Sequence, residues 1–360
     1  MEKRLKKDIK SYTKKELEAE LLAAGDKAFR AGQIYSWLHQ KLAGSFDEMT
    51  NLSKELRERL SDAYHIDSLR QVQVQESKLD GTKKYLFELH DGHMIESVLM
   101  KYHHGNSVCI SSQVGCRMGC RFCASTIDGL ERNLTPAELL DQIYQIQKLT
   151  GERVSHIVVM GSGEPMDNYE NIIKFIHMVS DKDGLHISQR NITVSTCGLV
   201  PQIKRLAEEG LQITLALSLH APNDEIRKAL MPIANAYQMD EVLDACRYYF
   251  DQTGRRITFE YSLVRGVNDS EEAAEELAER ILHMNCHVNL IPVNPIKERN
   301  YKESQNKEIL NFQNKLEKYG INVTIRREMG RDIDGACGQL RRSYREKQRE
   351  MEGEACGHME

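Results

Sequence analysis

The chain has 360 residues, of which 40% are hydrophobic and 29% charged, and its formal net charge is −5. This composition is typical of globular proteins, and the negative charge lacks the basic excess usual for a nucleic-acid binder. No apolar run approaches the roughly 20 residues of a membrane span, and the start MEKRLKKDIK lacks a secretory apolar stretch. We therefore expect a cytoplasmic enzyme without a membrane, built as one large α/β domain with an appendage.

The first third of the chain predicts two small units. From Thr13 to about Tyr64 the apolar residues recur at helical spacing, which predicts an N-terminal helical domain over residues 1–66. Between Gln71 and Tyr102 the period changes to two, and the turn pairs at 80–81 and 91–92 are both Asp-Gly. This pattern predicts a β-meander over residues 67–104.

Strands and helices alternate after Asn106, which predicts parallel βα units. The strand-like runs are VCISSQ, HIVVMG, NITVSTC, LQITLALSLH, RITFEYSLV and HVNLIPVNP, with a further run INVTIRRE. Six units are too few for a closed eight-unit barrel, so we predict an incomplete (βα)6 TIM-like barrel over residues 105–345 and a flexible tail over 346–360. The capping box from Thr135 to Glu138 predicts where the first helix of the barrel begins.

Three of the nine cysteines form the motif Cys116-x-x-x-Cys120-x-x-Cys123 in the loop before that helix. Clustered thiols in a reducing compartment more often bind metal or react than form disulfides. Three thiolates leave one iron of a 4Fe-4S cluster open to another ligand. A structural zinc site is the competing interpretation, although zinc normally takes four protein ligands and Cys109 is the residue that could supply the fourth.

Polar residues stand where several predicted strands end, which is where parallel α/β folds collect their chemistry. Gly163 and Glu164 belong to a glycine-rich turn after the second strand, where backbone can approach a ligand and a carboxylate can accept a hydrogen bond. The other strand-end residues are Ser195, Ser218, His220 and Asn294. Any one of them could simply cap a helix, but together they favour a ligand site.

Cys337 lies near the C-terminus between small residues, in the sequence GRDIDGACGQL. We expect its thiol to sit on a flexible, uncrowded segment, where the nearby Arg331, Arg341 and Arg342 would favour the thiolate if they fold close.

Basic residues cluster at both ends of the chain: Lys3, Arg4, Lys6 and Lys7, and Arg326, Arg327, Arg331, Arg341, Arg342, Arg345 and Arg349. A solvated helix face is the simpler interpretation of each cluster.

The cysteine spacing, with Phe122 before the last cysteine, resembles the radical S-adenosylmethionine superfamily. Further motifs occur in the order of one of its families: IES at Glu96, CISSQVGCRMGCRFCAS, GLERNLTPAE, GSGEPMDN, ITVSTCG, LALSLHAP, LMPI, GVNDS and VTIRREMGRDIDGACGQL. From about residue 15 to 345 the chain resembles the RlmN family of RNA adenine-C2 methyltransferases. Ser162 is a small departure, because Met or Thr is expected there.

The resemblance implies a reaction that uses two molecules of S-adenosylmethionine. One methylates the Cys337 thiolate; the other binds the open iron and is cleaved reductively to a 5′-deoxyadenosyl radical. That radical takes a hydrogen from methylated Cys337, and the resulting carbon radical adds to the adenine. Cys109 then attacks the Cys337 sulfur, which leaves a disulfide, and Glu96 accepts a proton. The residues implied to contact the cofactor are Gly163, Glu164, Ser195, Ser218, Leu219, His220 and Asn294.

The family's substrates are an adenosine of the peptidyl-transferase region of 23S rRNA and the adenosine 3′ of the anticodon in certain tRNAs. The resemblance also implies an electron donor such as flavodoxin or ferredoxin, and we expect a monomer. The N-terminal helical domain and the C-terminal basic cluster are expected to contact RNA because of their charge.

Three alternatives remain open at the level of sequence. The related Cfr family modifies carbon 8 of the same rRNA adenosine, although GEP at 163–165 and RNLTPAE look more like RlmN. A zinc-stabilised RNA-binding protein without catalysis is the second alternative. A radical enzyme that acts on a small metabolite is the third, but it would leave Cys109 and Cys337 without a task.

Overall fold

The structure, a computed structural model, describes residues 6–294, 300–334, 338–346 and 348. The strands are β1 (Lys7–Asp8), β2 (Tyr64–His65), β3 (Arg70–Glu76), β4 (Lys83–Glu88), β5 (Met94–Tyr102), β6 (Gly105–Cys109), β7 (Gln113–Gly115), β8 (Leu130–Asn133), β9 (Val154–Val159), β10 (Ile192–Thr196), β11 (Thr214–Ser218), β12 (Ile257–Leu263), β13 (Cys286–Pro292) and β14 (Asn322–Ile325). The α-helices are α1 (Lys14–Ala23), α2 (Phe29–His39), α3 (Lys54–Ala63), α4 (Pro136–Thr150), α5 (Tyr169–Ser180), α6 (Val200–Glu208), α7 (Asp224–Leu230), α8 (Met239–Thr253), α9 (Glu271–Ile281) and α10 (Asn306–Lys318). Residues 339–346 are also helical.

Within the described ranges, no helix has both the length and the apolar character needed to cross a membrane.

The predicted N-terminal helices are α1, α2 and α3, which share a small apolar core of their own. Thr13 begins α1 with a capping box and Ser53 caps α3, so local hydrogen bonds fix where these helices start. This region is tied to the rest of the chain by a buried ion pair, in which Lys10 Nζ lies 2.7 Å from Asp141 Oδ1 on α4. The second oxygen of Asp141 accepts from the Leu69 amide at 2.6 Å.

One sheet of ten strands forms the centre of the molecule, in the order β14-β13-β12-β11-β10-β9-β6-β5-β4-β3. The part from β6 to β14 is parallel throughout. The meander β3–β5 is antiparallel and continues the same sheet through the pairing of β5 with β6. The β-meander is thus an extension of the barrel sheet.

Helices connect each pair of neighbouring parallel strands, in the sequence β6–α4–β9–α5–β10–α6–β11–α7–α8–β12–α9–β13–α10–β14. This arrangement confirms the predicted incomplete barrel with a further strand at its edge. Most strand residues of this part are buried, as expected for a parallel sheet that is covered by helices. The carboxyl ends of the strands therefore meet along one edge of the sheet.

The first predicted barrel strand, VCISSQ, is interrupted. β6 ends at Cys109, and β7 begins only at Gln113 and pairs with β8 instead of the main sheet. At the interruption, the Ser111 hydroxyl donates to the Glu96 carbonyl at 2.7 Å and accepts from the Ser162 amide at 3.1 Å. The prediction that VCISSQ forms one continuous strand was therefore wrong, because the strand of the main sheet ends at Cys109.

The capping box at the start of α4 generates a stability prediction. The Thr135 hydroxyl accepts from the Glu138 amide at 3.3 Å, and Glu138 Oε2 accepts from the Thr135 amide at 2.9 Å. We expect Thr135→Ala to lower the free energy of unfolding by about 1 kcal/mol, because the Glu138 amide loses its acceptor. Urea denaturation of the full chain measures this change. Thr135→Ser keeps the hydroxyl and should retain most of the stability; an equal loss in both variants would contradict the capping role.

Candidate active site

The cysteine loop lies between β7 and β8, which pair and hold its two ends together. The Cys116 amide donates to the Gly129 carbonyl at 2.8 Å across this pair. Gly115 has φ of 78°, a left-handed conformation, and a Cβ there would collide with the Gly129 carbonyl. Inside the loop, the Thr126 hydroxyl donates to the carbonyls of Cys120 and Cys123 at 3.1 and 3.0 Å. The loop is therefore shaped by its own backbone.

All three thiols of the loop line one cavity of about 250 Å³. Cys116 and Cys120 are buried and Cys123 is half-buried. Burial, with a smaller contribution from the neighbouring thiols, raises the pKa of Cys116 to about 12 and that of Cys120 well above its ordinary value. A bound metal reverses this balance, because coordination to a cation deprotonates a thiol. Three cysteines that line one cavity fit the three-cysteine ligand set of a 4Fe-4S cluster.

Glu164 lies in the wall of the same cavity and organises two strand ends. Its carboxylate accepts from the Met166 amide at 3.0 Å and from the Cys197 amide at 2.8 Å. Burial nevertheless raises the pKa of this carboxyl above its ordinary value. Gly163 has φ of 107°, and a Cβ there would lie 2.6 Å from Ser112 Oγ, so a residue without a side chain is required.

Ser195, Ser218 and His220 bring polar groups to another wall of the cavity. The hydroxyls of Ser195 and Ser218 are 3.3 Å apart. His220 Nδ1 accepts from the Ser262 amide at 2.9 Å, and burial lowers its pKa to about 3. The ring is therefore neutral and carries its proton on Nε2. Its edge-to-face contact with Phe122, 4.9 Å between ring centres, fixes its orientation beside the cysteine loop.

Two of the predicted cofactor contacts have different surroundings. Leu219 is fully buried in the hydrophobic core, and its amide donates to the Glu260 carbonyl at 3.0 Å. Asn294 is exposed and lines a second cavity of about 500 Å³. The two cavities share Met160, Ile291 and Arg326 and are therefore neighbours.

Cys109 lines the second cavity from the end of β6 and is buried. Val98 and Met100 line the same cavity from β5. Glu96 precedes Val98 by two residues on β5 and therefore shares its face of the sheet. The thiol and the carboxylate thus both belong to the side of the sheet from which the second cavity opens.

Glu96 is 4% exposed, and both of its carboxylate oxygens accept hydrogen bonds. Oε1 accepts from the Arg341 amide at 2.7 Å, while Oε2 accepts from the Gly338 amide at 2.7 Å and lies 3.1 Å from Lys84 Nζ. Glu96 therefore binds the start of the helical residues 339–346, where amides lack partners within the helix.

Cys337 lies outside the described residues, as do Cys356 and most of the predicted tail, and so do Lys3, Arg4 and Arg349. The residues on either side of Cys337 are described. Gly338 packs against the end of the cysteine loop, since a Cβ there would lie 3.1 Å from the Ser125 amide nitrogen. Gly338 is buried, whereas the expected uncrowded surroundings of the Cys337 thiol stay a prediction.

The C-terminal arginines do not form one solvated surface. Arg341 is 4% exposed, and its Nη2 lies 3.5 Å from Asp128 Oδ2. Arg326, Arg327 and Arg331 are exposed around the second cavity. The predicted basic cluster is consequently split between a buried arginine, Arg341, and arginines on an open cavity wall.

Two buried charged residues at the site were not predicted from the sequence. Glu260 on β12 lines the first cavity and accepts from Asn289 Nδ2 at 3.0 Å, and burial raises its pKa. Arg227 on α7 is fully buried, and its Nη2 donates to the Cys197 carbonyl at 2.7 Å. The available signal was a charge placed within an otherwise apolar strand or helix, which requires a buried partner.

The chain matches two protein families in succession. Residues 7–66 match the ribosomal RNA large subunit methyltransferase N-terminal domain. Residues 110–281 match the Radical SAM superfamily, and this range contains the cysteine loop and both walls of the first cavity. Superfamily membership implies a 4Fe-4S cluster and S-adenosylmethionine, in agreement with the three-thiol cavity.

Similar proteins cover nearly the whole chain. A protein of Lachnospira eligens named "Probable dual-specificity RNA methyltransferase RlmN" is 67% identical over 96% of this chain and 99% of its own length. A protein of the same name from Lachnoclostridium phytofermentans is 65% identical over 94% of this chain and 96% of its own. Among solved structures, a radical SAM methyltransferase from Sphaerobacter thermophilus has a TM-score of 0.87 and 43% identity, covering 92% of this chain and 98% of that one.

The three-thiol cavity generates a test of metal content. We expect the anaerobically purified protein to be brown and to contain about four irons per chain, as a 4Fe-4S cluster requires. Cys116→Ala, Cys120→Ala and Cys123→Ala should each lose the colour and the iron, because each removes one ligand. Cys246→Ala is the control, since Cys246 is buried on α8 in the main hydrophobic core and does not line this cavity. A colourless protein with one zinc would instead support a structural zinc site.

Proposed function

The chain belongs to the RlmN family, and from this premise we propose that it methylates carbon 2 of adenosine in RNA. The proposed substrates are the peptidyl-transferase region of 23S rRNA and the adenosine 3′ of the anticodon in tRNAs. One observation carries the proposal: Gly338, the neighbour of Cys337, packs against Ala124 and Ser125, directly after the last cysteine of the loop. The described residue next to the proposed methyl carrier therefore lies beside the loop of the proposed cluster ligands, which supports the proposal.

We assign the cluster to Cys116, Cys120 and Cys123, and the contacts of S-adenosylmethionine to the strand ends that line the first cavity. When bound, these groups supply a primary carbon radical by one-electron cleavage of the sulfonium. The protein contributes the walls of this cavity: Gly163 permits close approach, and neutral His220 can donate through Nε2 without adding charge. Ser195 and Ser218 offer hydroxyls on the same wall.

Cys337 is the proposed methyl carrier, and two molecules of S-adenosylmethionine are consumed per turnover. In the first step the Cys337 thiolate attacks the sulfonium methyl group, which gives a methyl thioether and S-adenosylhomocysteine. When bound at the cluster, a second molecule would supply the radical that removes a hydrogen atom from this methyl group, and Cys337 would hold the resulting carbon radical for addition to the adenine. The proximity of Gly338 to the cysteine loop supports this order, because the same segment must reach the cofactor twice.

Glu96 is the proposed proton acceptor. An ionised carboxylate offers about four lone-pair positions, and in Glu96 the Gly338 amide, the Arg341 amide and Lys84 occupy three of them. A position for one proton is therefore left while the C-terminal segment is held. The burial of Glu96 keeps that proton away from bulk water.

Cys109 is the proposed resolving thiol, which attacks the Cys337 sulfur and releases the methylated RNA with formation of a disulfide. Gln339 lines the same cavity as Cys109, so the residues just after Cys337 border the space into which the Cys109 thiol faces. An external reductant must then reduce the disulfide, and a donor such as flavodoxin or ferredoxin must reduce the cluster.

The remaining assignments follow from the same family. We propose that residues 1–66 form an RNA-contacting domain, that 67–104 form the β-meander, that 105–345 form the catalytic barrel and that 346–360 form a flexible tail. We also propose that the protein acts in the cytoplasm as a monomer. The exposed Arg326, Arg327 and Arg331 around the second cavity support RNA contact at this face.

The product test uses a host that lacks its own enzyme. With the intact gene, nucleoside mass spectrometry of rRNA and tRNA should detect 2-methyladenosine, and the RNA that carries it identifies the substrate. Cys337→Ala should give none, because the methyl carrier is absent, whereas Cys246→Ala should behave as the unaltered chain. Detection of 8-methyladenosine would assign the chain the Cfr-type reaction, and the absence of both products would overturn the proposed function.

The RNA-contact proposal predicts a change in salt dependence. Each neutralised phosphate contributes about 0.9 to the slope of log affinity against log salt, so Arg326→Glu with Arg327→Glu should make the slope shallower by about 2. Fluorescence anisotropy with a labelled tRNA anticodon stem–loop, without S-adenosylmethionine, measures it. Arg247→Glu is the control, because Arg247 lies on α8 and pairs with Asp244. Unchanged affinity and slope in the double variant would count against this surface.

A further inference from the structure

The segment before Cys337 is fixed to the hairpin between β3 and β4. The Gly330 amide donates to Asp80 Oδ2 at 2.9 Å, and Asp332 accepts from the Lys78 amide at 2.8 Å. Asp334 exchanges two hydrogen bonds with the Gln75 side chain, each of 3.0 Å. Hydrogen bonds to β3 and its hairpin therefore fix the position of residues 330–334.

The segment after Cys337 is fixed by Glu96, whose two oxygens accept from the amides of Gly338 and Arg341. An acidic side chain at the N-terminus of a helix satisfies amides that the helix itself leaves without acceptors. Leu340 adds an apolar contact in a small cluster with Leu86 of β4 and Met94 of β5. The described residues on both sides of 335–337 therefore depend on the β-meander for their position.

A single buried ammonium joins these two anchors. Lys84 on β4 is fully buried, and its Nζ donates to the Asp334 carbonyl at 2.5 Å and lies 3.1 Å from Glu96 Oε2. Asp334 is the last described residue before Cys337. Glu96 accepts a hydrogen bond from Gly338, the first described residue after it. We infer that Lys84 is a positioning residue for Cys337, one that fixes both borders of the methyl-carrying segment against the cysteine loop.

The sheet itself does not require a charge at this position. Lys84 stands in β4 two residues before Leu86, which faces the apolar cluster with Leu340. An apolar residue would suit such a site, since a buried charge is stabilising only when its partners have good geometry. Two of its partners, the Asp334 carbonyl and the Glu96 carboxylate, belong to the borders of the Cys337 segment, which ties Lys84 to the placement of these borders.

Hydrogen exchange of the full chain with its cluster tests the inference. In Lys84→Met, the amides of residues 338–342 should lose at least about tenfold of their protection, because a hydrogen bond to a charged group contributes at least that factor. Lys83→Met is the matched control: Lys83 is the adjacent residue and its Nζ pairs with Glu76 at 3.3 Å. Protection in β3, β4 and β5 should stay unchanged in both variants.

Two results would overturn the inference: unchanged protection of residues 338–342 in Lys84→Met, or an equal loss across β3–β5, which would indicate a general structural role. If Lys84→Met does not fold, hydrogen exchange of the unaltered chain still tests the anchor. Amides of residues 338–342 that exchange as fast as those of an unstructured peptide would exclude it.

Kinetics provide a second readout, which rests on the proposed function. Lys84→Met should lower kcat for RNA methylation at least about tenfold and leave KM for RNA unchanged, because the methyl carrier is misplaced while the RNA surface is intact. Peptide mass spectrometry should show slower methylation of Cys337. If Cys337 of the unaltered chain carries no methyl group although the exchange effect is present, the proposed function fails and the anchor stands.

Discussion

The carboxylate of Glu164 is the interaction on which the first cavity depends. Glu164 connects three parts of the chain: its backbone amide donates to Gln113 Oε1 at 2.8 Å, and its carboxylate accepts from the amides of Met166 and Cys197. Gln113 begins β7, which holds the cysteine loop, and Cys197 follows β10. One buried residue thus links the strand that leads into the cysteine loop, through its amide, to the end of β10, through its carboxylate.

A second buried carboxylate, Glu96, performs the corresponding task for the C-terminal segment. Both carboxylates lie at the ends of backbone segments whose amides would otherwise have no acceptor, and both are about 4% exposed. They differ in their counter-charge. Glu96 has Lys84 at 3.1 Å, whereas burial dominates for Glu164 and raises its pKa. The position that carries the ammonium is the one that must hold a segment far along the chain.

The sequence predicted those features that depend on local chemistry. The helical repeat, the βα alternation and the capping box at Thr135 are all found, because each is determined within a few residues. The length of the first barrel strand was not predictable, since the hydroxyl of Ser111 at the interruption bonds to Glu96 and Ser162, which are remote in sequence. The partners of Lys84 were equally hidden, because Asp334 lies 250 residues away.

The same distinction explains the site. The cysteine loop is a local motif, and its three thiols do face one cavity. Asn294 and Cys109 share the second cavity instead, although both end parallel strands as the polar residues of the first cavity do. Strand order explains the difference, because β6 and β13 lie on opposite sides of β9–β12 and a cavity that contacts both must span the opening of the incomplete barrel. The opening of the incomplete barrel is therefore the space that the C-terminal residues Arg326, Arg331 and Gln339 border.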